Sequence, residues 1–317
     1  MTRLSALLLC TALANAALPL SEAAAIRTHM LVTTEWLSSH LGDHNLVVLF
    51  IGHDRRQFDA GHIPGARFVR LDELVEQHLN SPNELPPVAE LQALFESVGA
   101  SSESRIVLYG EGGGVLAARA YFTLDTLGLG ERTALLDGGM EKWKAEGRAL
   151  SLQETHPAPG HIALRPHFDI AVTATKMEDA SDRASQAQGS AFALLDARPP
   201  AEFEGVVASE GVSKAGHIPG AASLYWKTLL RSEAQPELLP VDELQRAFRE
   251  AGVRPEQTVV TYCRTGMQSS FTYFVAKYLG YHAAMYDGSV YEWVQAKGKD
   301  LVKSPAAGAA TVRRSTR

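Results

Sequence analysis

The sequence predicts an α/β protein built as two tandem domains, each a parallel sheet flanked by helices. The chain has 317 residues, past the ~250–300 at which a single core usually stops growing. The heptapeptide AGHIPGA occurs at 60–66 and again at 215–221. Blocks in the same order follow each copy: RIVLYGEGGG (105–114) answers TVVTYCRTGM (258–267), and LLDGGMEKW (135–143) answers MYDGSVYEW (285–293). Short β-branched runs also alternate with amphipathic stretches, the pattern of strands crossing over through helices.

Along the chain, the first 16 residues read as a signal peptide. Arg3 supplies the positive start, Leu4 to Leu13 the apolar run and Ala14-Asn15-Ala16 the small-residue cleavage site. Cleavage is expected after Ala16, with about 25 as the latest position. Two other readings are an unprocessed anchor and a lipoprotein site at Cys10, although Leu7-Leu8-Leu9 precede that cysteine where such a site wants a small residue. The first domain is assigned to 28–150, a Pro- and His-rich linker to 151–166, the second domain to 167–303 and a disordered tail to 304–317. In the second domain, FALLD (192–196) and TVVTY (258–262) read as buried strands, and VDELQRAFREAG (241–252) and SSFTYFVAKYLG (269–280) as helices ending at glycine.

Lys and Arg total 30 against 36 Asp and Glu, a net charge of -6 with no basic stripe, so nucleic acid is not an expected partner. No run beyond the leader is long enough to span a bilayer, which takes ~18 apolar residues. After cleavage the expectation is an exported, periplasmic protein without a membrane segment, carrying Cys263 as its one thiol and no internal disulfide.

Cys263 falls at the carboxyl end of a strand just before a helix, the crevice where open α/β sheets bind ligands. A short loop through Gly266 can turn consecutive backbone N–H groups inward as an anion nest, and a helix N-terminus beside an arginine favours the thiolate. Three chemistries use such a loop. A cysteine phosphatase wants arginine where Ser269 stands. A cysteine hydrolase wants a histidine base, but His217 lies in the repeated GHIPGA, and His62 holds the same place in the copy without cysteine. Sulfur transfer needs a thiolate, anion donors and no general base. Counting from Phe58 and Phe203, Ile51 falls opposite Asp196 and His53 opposite Arg198, so the first copy lacks both. One working domain and one supporting domain is the economical reading; the alternative is that neither works.

LLDARPPAEF, the paired GHIPGA, YCRTGMQ and YDGSVYEW together make the chain resemble the two-domain sulfurtransferases of the rhodanese family, from about Thr33 to Lys303. The resemblance implies two rhodanese-like domains, the second catalytic, and no cofactor or metal. It implies that Cys263 takes sulfur from thiosulfate, releasing sulfite, and passes it as a persulfide to a thiophilic acceptor, cyanide or a thiol, including a thiol on a protein. It implies substrate binding by Arg198 and by Arg264, Thr265, Gly266, Met267 and Gln268. Asp196 and Trp226 are expected to support the site or the core, and Asp287 and Gly288 to make a turn. The segment 206–214 is extra relative to the first half and either covers the pocket or decorates the surface. Thiosulfate enzymes of the family have basic residues after the cysteine; Arg264 fits, whereas Thr265 is nearer the serine of mercaptopyruvate enzymes. A 3-mercaptopyruvate sulfurtransferase and a persulfide carrier serving a partner protein are the alternatives.

Overall fold

The computed structural model describes residues 25–78, 81–186 and 190–304. The leader and residues 305–317 of the expected tail lie outside them. In the first domain the strands are β1 (Leu31–Val32), β2 (Leu46–Gly52), β3 (Arg67–Arg70), β4 (Glu76–His78), β5 (Ser81–Glu84), β6 (Arg105–Gly110) and β7 (Thr133–Leu136). Its helices are α1 (Thr34–His40), α2 (Arg56–Asp59), α3 (Val88–Ser97), α4 (Val115–Thr126) and α5 (Gly139–Ala145). The second domain carries β8 (Ala171–Val172), β9 (Phe192–Asp196), β10 (Ala221–Ser223), β11 (Thr258–Tyr262) and β12 (His282–Tyr286). Its helices are α6 (Ala174–Ser185), α7 (Pro200–Phe203), α8 (Val241–Glu250), α9 (Met267–Tyr278) and α10 (Ser289–Trp293).

Each domain has a five-stranded sheet, ordered β1-β7-β6-β2-β3 and β8-β12-β11-β9-β10. Every neighbouring pair is parallel, and the two orders correspond strand for strand. β4 and β5 form a separate antiparallel hairpin. FALLD and TVVTY are the strands expected, because a central parallel strand is covered on both faces and reads as an unbroken apolar run. α8 buries Leu244 and Phe248, one turn apart. α9 begins at Met267, two residues before the expected start, because Gly266 takes a left-handed φ of 84° at its N-cap.

The repeated GHIPGA turn has a structural job. The rings of His62 and His217 stack on Phe58 and Phe203 at 3.8 Å. Their Nδ1 atoms meet the carbonyls of the same phenylalanines at 2.9 and 2.8 Å, a contact in which the ring N–H donates. The next residue, Ile63 or Ile218, donates its N–H to the hydroxyl of Tyr109 or Tyr262 at 3.1 Å. The turn therefore anchors the tyrosine at the end of each central strand, and the His217 imidazole is engaged away from the thiol. Burial, and then the charge of Asp196, push the Tyr262 phenol far above its ordinary range, so it stays a neutral hydroxyl.

α4 and α9 pack on each other across the domain boundary. Every residue of α4 from Leu116 to Thr126 is buried, and α9 is buried from Ser269 to Ala276. Edge-to-face pairs join Tyr121 to Phe274 at 5.0 Å and Phe122 to Tyr273 at 5.2 Å. Charged groups on these helices pair across the seam: Asp125 accepts from the Tyr273 hydroxyl and the Lys277 ammonium, both at 2.5 Å. One apolar cluster runs through both domains. The domains also exchange arms. Leu85, just after β5, donates its N–H to Asp287 at 3.1 Å; Leu238, just before α8, donates to Asp137 at 2.9 Å.

Because the seam is a shared core, Phe274→Ala is expected to cost about 3–5 kcal/mol, as for other buried Phe truncations. It should lower one common unfolding midpoint. Two separated transitions in a calorimetric scan would contradict a shared core.

Candidate active site

Cys263 follows β11 directly and is 1% exposed. Its backbone N–H donates to the Ser289 hydroxyl at 3.1 Å, and the N–H of Gly266 donates to the same oxygen at 3.1 Å. Ser289 in turn donates to the Tyr286 carbonyl at 2.9 Å. One hydroxyl thus closes the loop 263–266 over the start of α10. Ser289 does this at a φ of 53°, a left-handed conformation that costs a non-glycine residue roughly 1–2 kcal/mol. The equivalent residue in the first domain is Gly139, with a φ of 54°, which adopts it freely. The second domain keeps a strained serine where glycine would be relaxed, a mark of local function.

The Cys263 sulfur lies 3.6 Å from the hydroxyl of Ser269, which is fully buried. That hydroxyl donates to the sulfur from the first turn of α9, whose leading N–H groups have no partner within the helix. The arrangement suits a sulfur anion.

The remaining expected residues are placed less uniformly around the sulfur. Arg264 turns outward, 39% exposed, and donates to Glu210 at 2.6 Å. Thr265 is buried, and its hydroxyl accepts from the Asn83 side-chain amide at 3.0 Å. Gly266 spends its N–H on Ser289, which corrects the expectation that this amide is available to a ligand. A Cβ on Gly266 would fall 2.4 Å from Asp287 Oδ1, so only glycine fits. Met267 packs against the shared core. Gln268 carries a buried side-chain oxygen, and Trp226 a buried indole N–H, neither with a hydrogen-bond partner among the described residues. Trp226 also meets Phe271 of α9 edge-on at 5.4 Å.

Asp196 and Arg198 form a buried pair. Arg198 Nε donates to Asp196 at 2.9 Å and Nη2 at 2.5 Å. Its other contacts are Ser209 Oγ at 3.1 Å and the Gly216 carbonyl at 2.8 Å. Burial, the largest single effect, works against the charge; the hydrogen bonds and the charge of Asp196, with smaller help from Tyr262 and Glu202, together outweigh it, and the guanidinium pKa ends above its ordinary value. Arg198, expected to face a sulfonate, is thus directed into the protein and 1% exposed. Its partner Ser209, together with Glu210 on Arg264, ties the extra segment 206–214 to the strand end after β9 and to the loop after β11.

Residue counting slipped by one in the first copy. Tyr109 and Tyr262 are equivalent, each receiving the GHIPGA isoleucine N–H. The sheet registers pair Phe50 with Tyr109 and Asp196 with Tyr262. Phe50 therefore stands opposite Asp196 and Gly52 opposite Arg198, where counting set Ile51 and His53. The first copy has one more residue between strand and helix. The same register puts Gly110 opposite Cys263. A Cβ on Gly110 would lie 2.2 Å from the Ile51 carbonyl oxygen, so this strand end has no room for a cysteine side chain.

Two parallel α/β domains of one topology, with a single strand-end cysteine under a helix N-terminus, define the class of protein. The family model Rhodanese-like domain matches residues 33–146 and 174–296, and the chain belongs to that family. It is 31% identical to the sulfur carrier protein TtuD of Thermus thermophilus, over 86% of this chain and 96% of that one. It is 33% identical to a thiosulfate sulfurtransferase of Pseudomonas aeruginosa, over 81% and 91% respectively. Among solved structures, the 3-mercaptopyruvate sulfotransferase SseA of Escherichia coli superposes with a TM-score of 0.72 at 25% identity, covering 82% of this chain and 98% of that one.

Ser289, Ser269, Arg119, Asn83 and Asp287 are site residues that sequence reasoning missed. A signal existed for Ser289, in DGS against DGG, and for Arg119, a lone charge within the apolar helix VLAARAYF. Both Ser289→Ala and Ser289→Gly should lower reaction at Cys263 about tenfold. The alanine variant, which keeps the left-handed strain, should also be the less stable of the two by about 1 kcal/mol. Melting curves and alkylation rates of the two variants check the order; equal reactivity to wild type would refute the staple.

Proposed function

We propose that this chain is a thiosulfate sulfurtransferase working through Cys263. The Cys263 thiolate attacks the outer sulfur of thiosulfate; the S–S bond of the donor breaks, and sulfite leaves with its electron pair. Cys263 is left as a persulfide anion. An acceptor then attacks the outer persulfide sulfur. Cyanide becomes thiocyanate, or a thiolate becomes a persulfide, and the Cys263 thiolate is regenerated. Preorganised donors at the loop and the first turn of α9 stabilise the charge on the transferred sulfur. The Ser269 hydroxyl on the sulfur carries this reading, since it supplies a donor to a sulfur anion and no base. In the proposal the second domain is catalytic. The first, where Gly110 leaves no room for a thiol, forms a wall.

Two finer readings have their own support. The hydroxyl of Thr265, held by Asn83, supports 3-mercaptopyruvate as donor, as does the likeness to SseA. The nearly full burial of Cys263 and the likeness to a sulfur carrier support slow turnover with delivery to a protein thiol. Export to the periplasm, from the leader-like first 16 residues, is part of the proposal.

Purified protein with thiosulfate and cyanide should form thiocyanate, and Cys263→Ala should abolish it. Thiocyanate no greater than that of the Cys263→Ala protein refutes the thiosulfate reading. Transfer from mercaptopyruvate alone moves the assignment to that donor. Fast persulfide loading by mass spectrometry with slow turnover moves it to the carrier.

A further inference from the structure

We propose that Arg119, a residue of the first domain, is a positioning residue for the Cys263 loop of the second. The inference rests on the sulfurtransferase reading for what the loop does, and on geometry alone for what Arg119 holds. Arg119 lies within α4 and is fully buried. Its guanidinium grips Asp287 with both arms, Nη1 to Oδ1 at 2.5 Å and Nη2 to Oδ2 at 3.1 Å. Nη2 also donates to the Asn83 carbonyl at 2.5 Å. These two partners are the surfaces on which the loop rests. Asn83 donates its side-chain amide to the Thr265 hydroxyl at 3.0 Å, from a left-handed φ of 71°. Asp287 packs on Gly266 so closely that a Cβ there would meet Oδ1 at 2.4 Å and Arg119 Nη1 at 3.2 Å. Two residues beyond Asp287, Ser289 binds the N–H groups of Cys263 and Gly266. Arg119 therefore fixes Thr265 through Asn83 and Gly266 through Asp287.

Stability alone does not account for this arrangement. A buried ion pair gains little over well-packed apolar side chains of similar volume, and apart from the Asp125–Tyr273–Lys277 cluster the α4–α9 contacts are apolar or aromatic. Arg119 Nε is moreover buried without a partner among the described residues, a cost that an apolar side chain at this place would not carry. The pseudo-equivalent residue sharpens the contrast. Five residues after the capping glycine, α4 presents Arg119 to the loop that holds Cys263. At the same distance α9 presents Phe271 to Gly114, in the loop without a thiol. The charged fork sits only on the side with a reactive loop to aim.

The test separates aim from stability. Arg119→Met strands the Asp287 charge and is expected to melt early. Arg119→Met combined with Asp287→Leu removes both charges and should melt later than Arg119→Met alone, though short of wild type because the Leu85 N–H and the Asn83 carbonyl lose their partners. In that double variant we expect kcat/KM for thiosulfate to stay at least tenfold below wild type, and the rate of Cys263 alkylation by iodoacetamide to differ at least threefold. Asn83→Ala, at a partly exposed position with the ion pair intact, should raise the thiosulfate KM about threefold while lowering the midpoint only slightly, by the roughly 1 kcal/mol of alanine at a left-handed φ. A double variant that regains wild-type kcat/KM overturns the proposal. If the double variant does not fold, Asn83→Ala decides, and wild-type KM and alkylation rate there overturn it. If wild type transfers no sulfur from any donor, the sulfurtransferase reading fails. The alkylation rates still decide whether Arg119 sets the loop, and unchanged rates overturn that.

Discussion

Two helices buried on all sides against each other, α4 and α9, set the terms for the rest of the molecule. A helix with no solvent face must satisfy its polar side chains within the protein. The threonines of α4 bond carbonyls of their own helix, but its charged side chains find their partners across the seam. Asp125 finds Tyr273 and Lys277; Arg119 finds Asp287 and Asn83. The seam that joins the domains is therefore also the route by which one domain reaches the reactive loop of the other. The exchanged arms repeat the scheme, each domain offering a backbone N–H to the strand-end aspartate of its neighbour.

From this near-symmetric frame the two strand ends diverge through a few atoms. Gly110 and Cys263 occupy one register position, and the Ile51 carbonyl closes it in one domain while the other leaves space for a side chain. Gly139 and Ser289 share one left-handed position, and only the serine brings a hydroxyl to the loop. Asp137 receives the arm of the second domain but no arginine; burial raises its carboxyl above the ordinary range, only partly offset by the Leu238 N–H. Asp287 receives both an arm and a guanidinium. The same backbone thus carries one strand end closed by the Ile51 carbonyl and one that holds a thiol, and the two also differ in which side chains reach them across the seam.

What could be read from sequence was what local periodicity encodes. FALLD and TVVTY are strands to the residue because both faces are covered. Cys263 falls at a strand end because the following glycine and amphipathic run announce a helix. The GHIPGA histidines read as structural because one copy has no thiol to serve. The errors arose where meaning depends on a distant partner. Arg198 looks like a free cation until Asp196, Ser209 and Gly216 are seen to engage it. Asp287 looks like a turn residue until Arg119 arrives from a helix of the other domain. The slip between Ile51 and Phe50 came from counting along the chain through a bend, where hydrogen-bond register across β2 and β6 is what aligns the copies. The β4–β5 hairpin gave no signal at all, since its short polar strands bury little and matter only for where Asn83 lands.

The strain at Ser289 and the orphaned Nε of Arg119 belong to one pattern. Each is a small local cost at a position whose counterpart in the other domain carries none: Gly139 is relaxed, and Phe271 has no polar atom to satisfy. Both costs attach to groups that hold the segment from Cys263 to Gly266. Fold stability would be served as well by the first domain's solution at both places. Keeping these two costlier residues beside the thiol ties them to the loop's geometry rather than to the fold, and gives the first domain a place at the site despite having no thiol of its own.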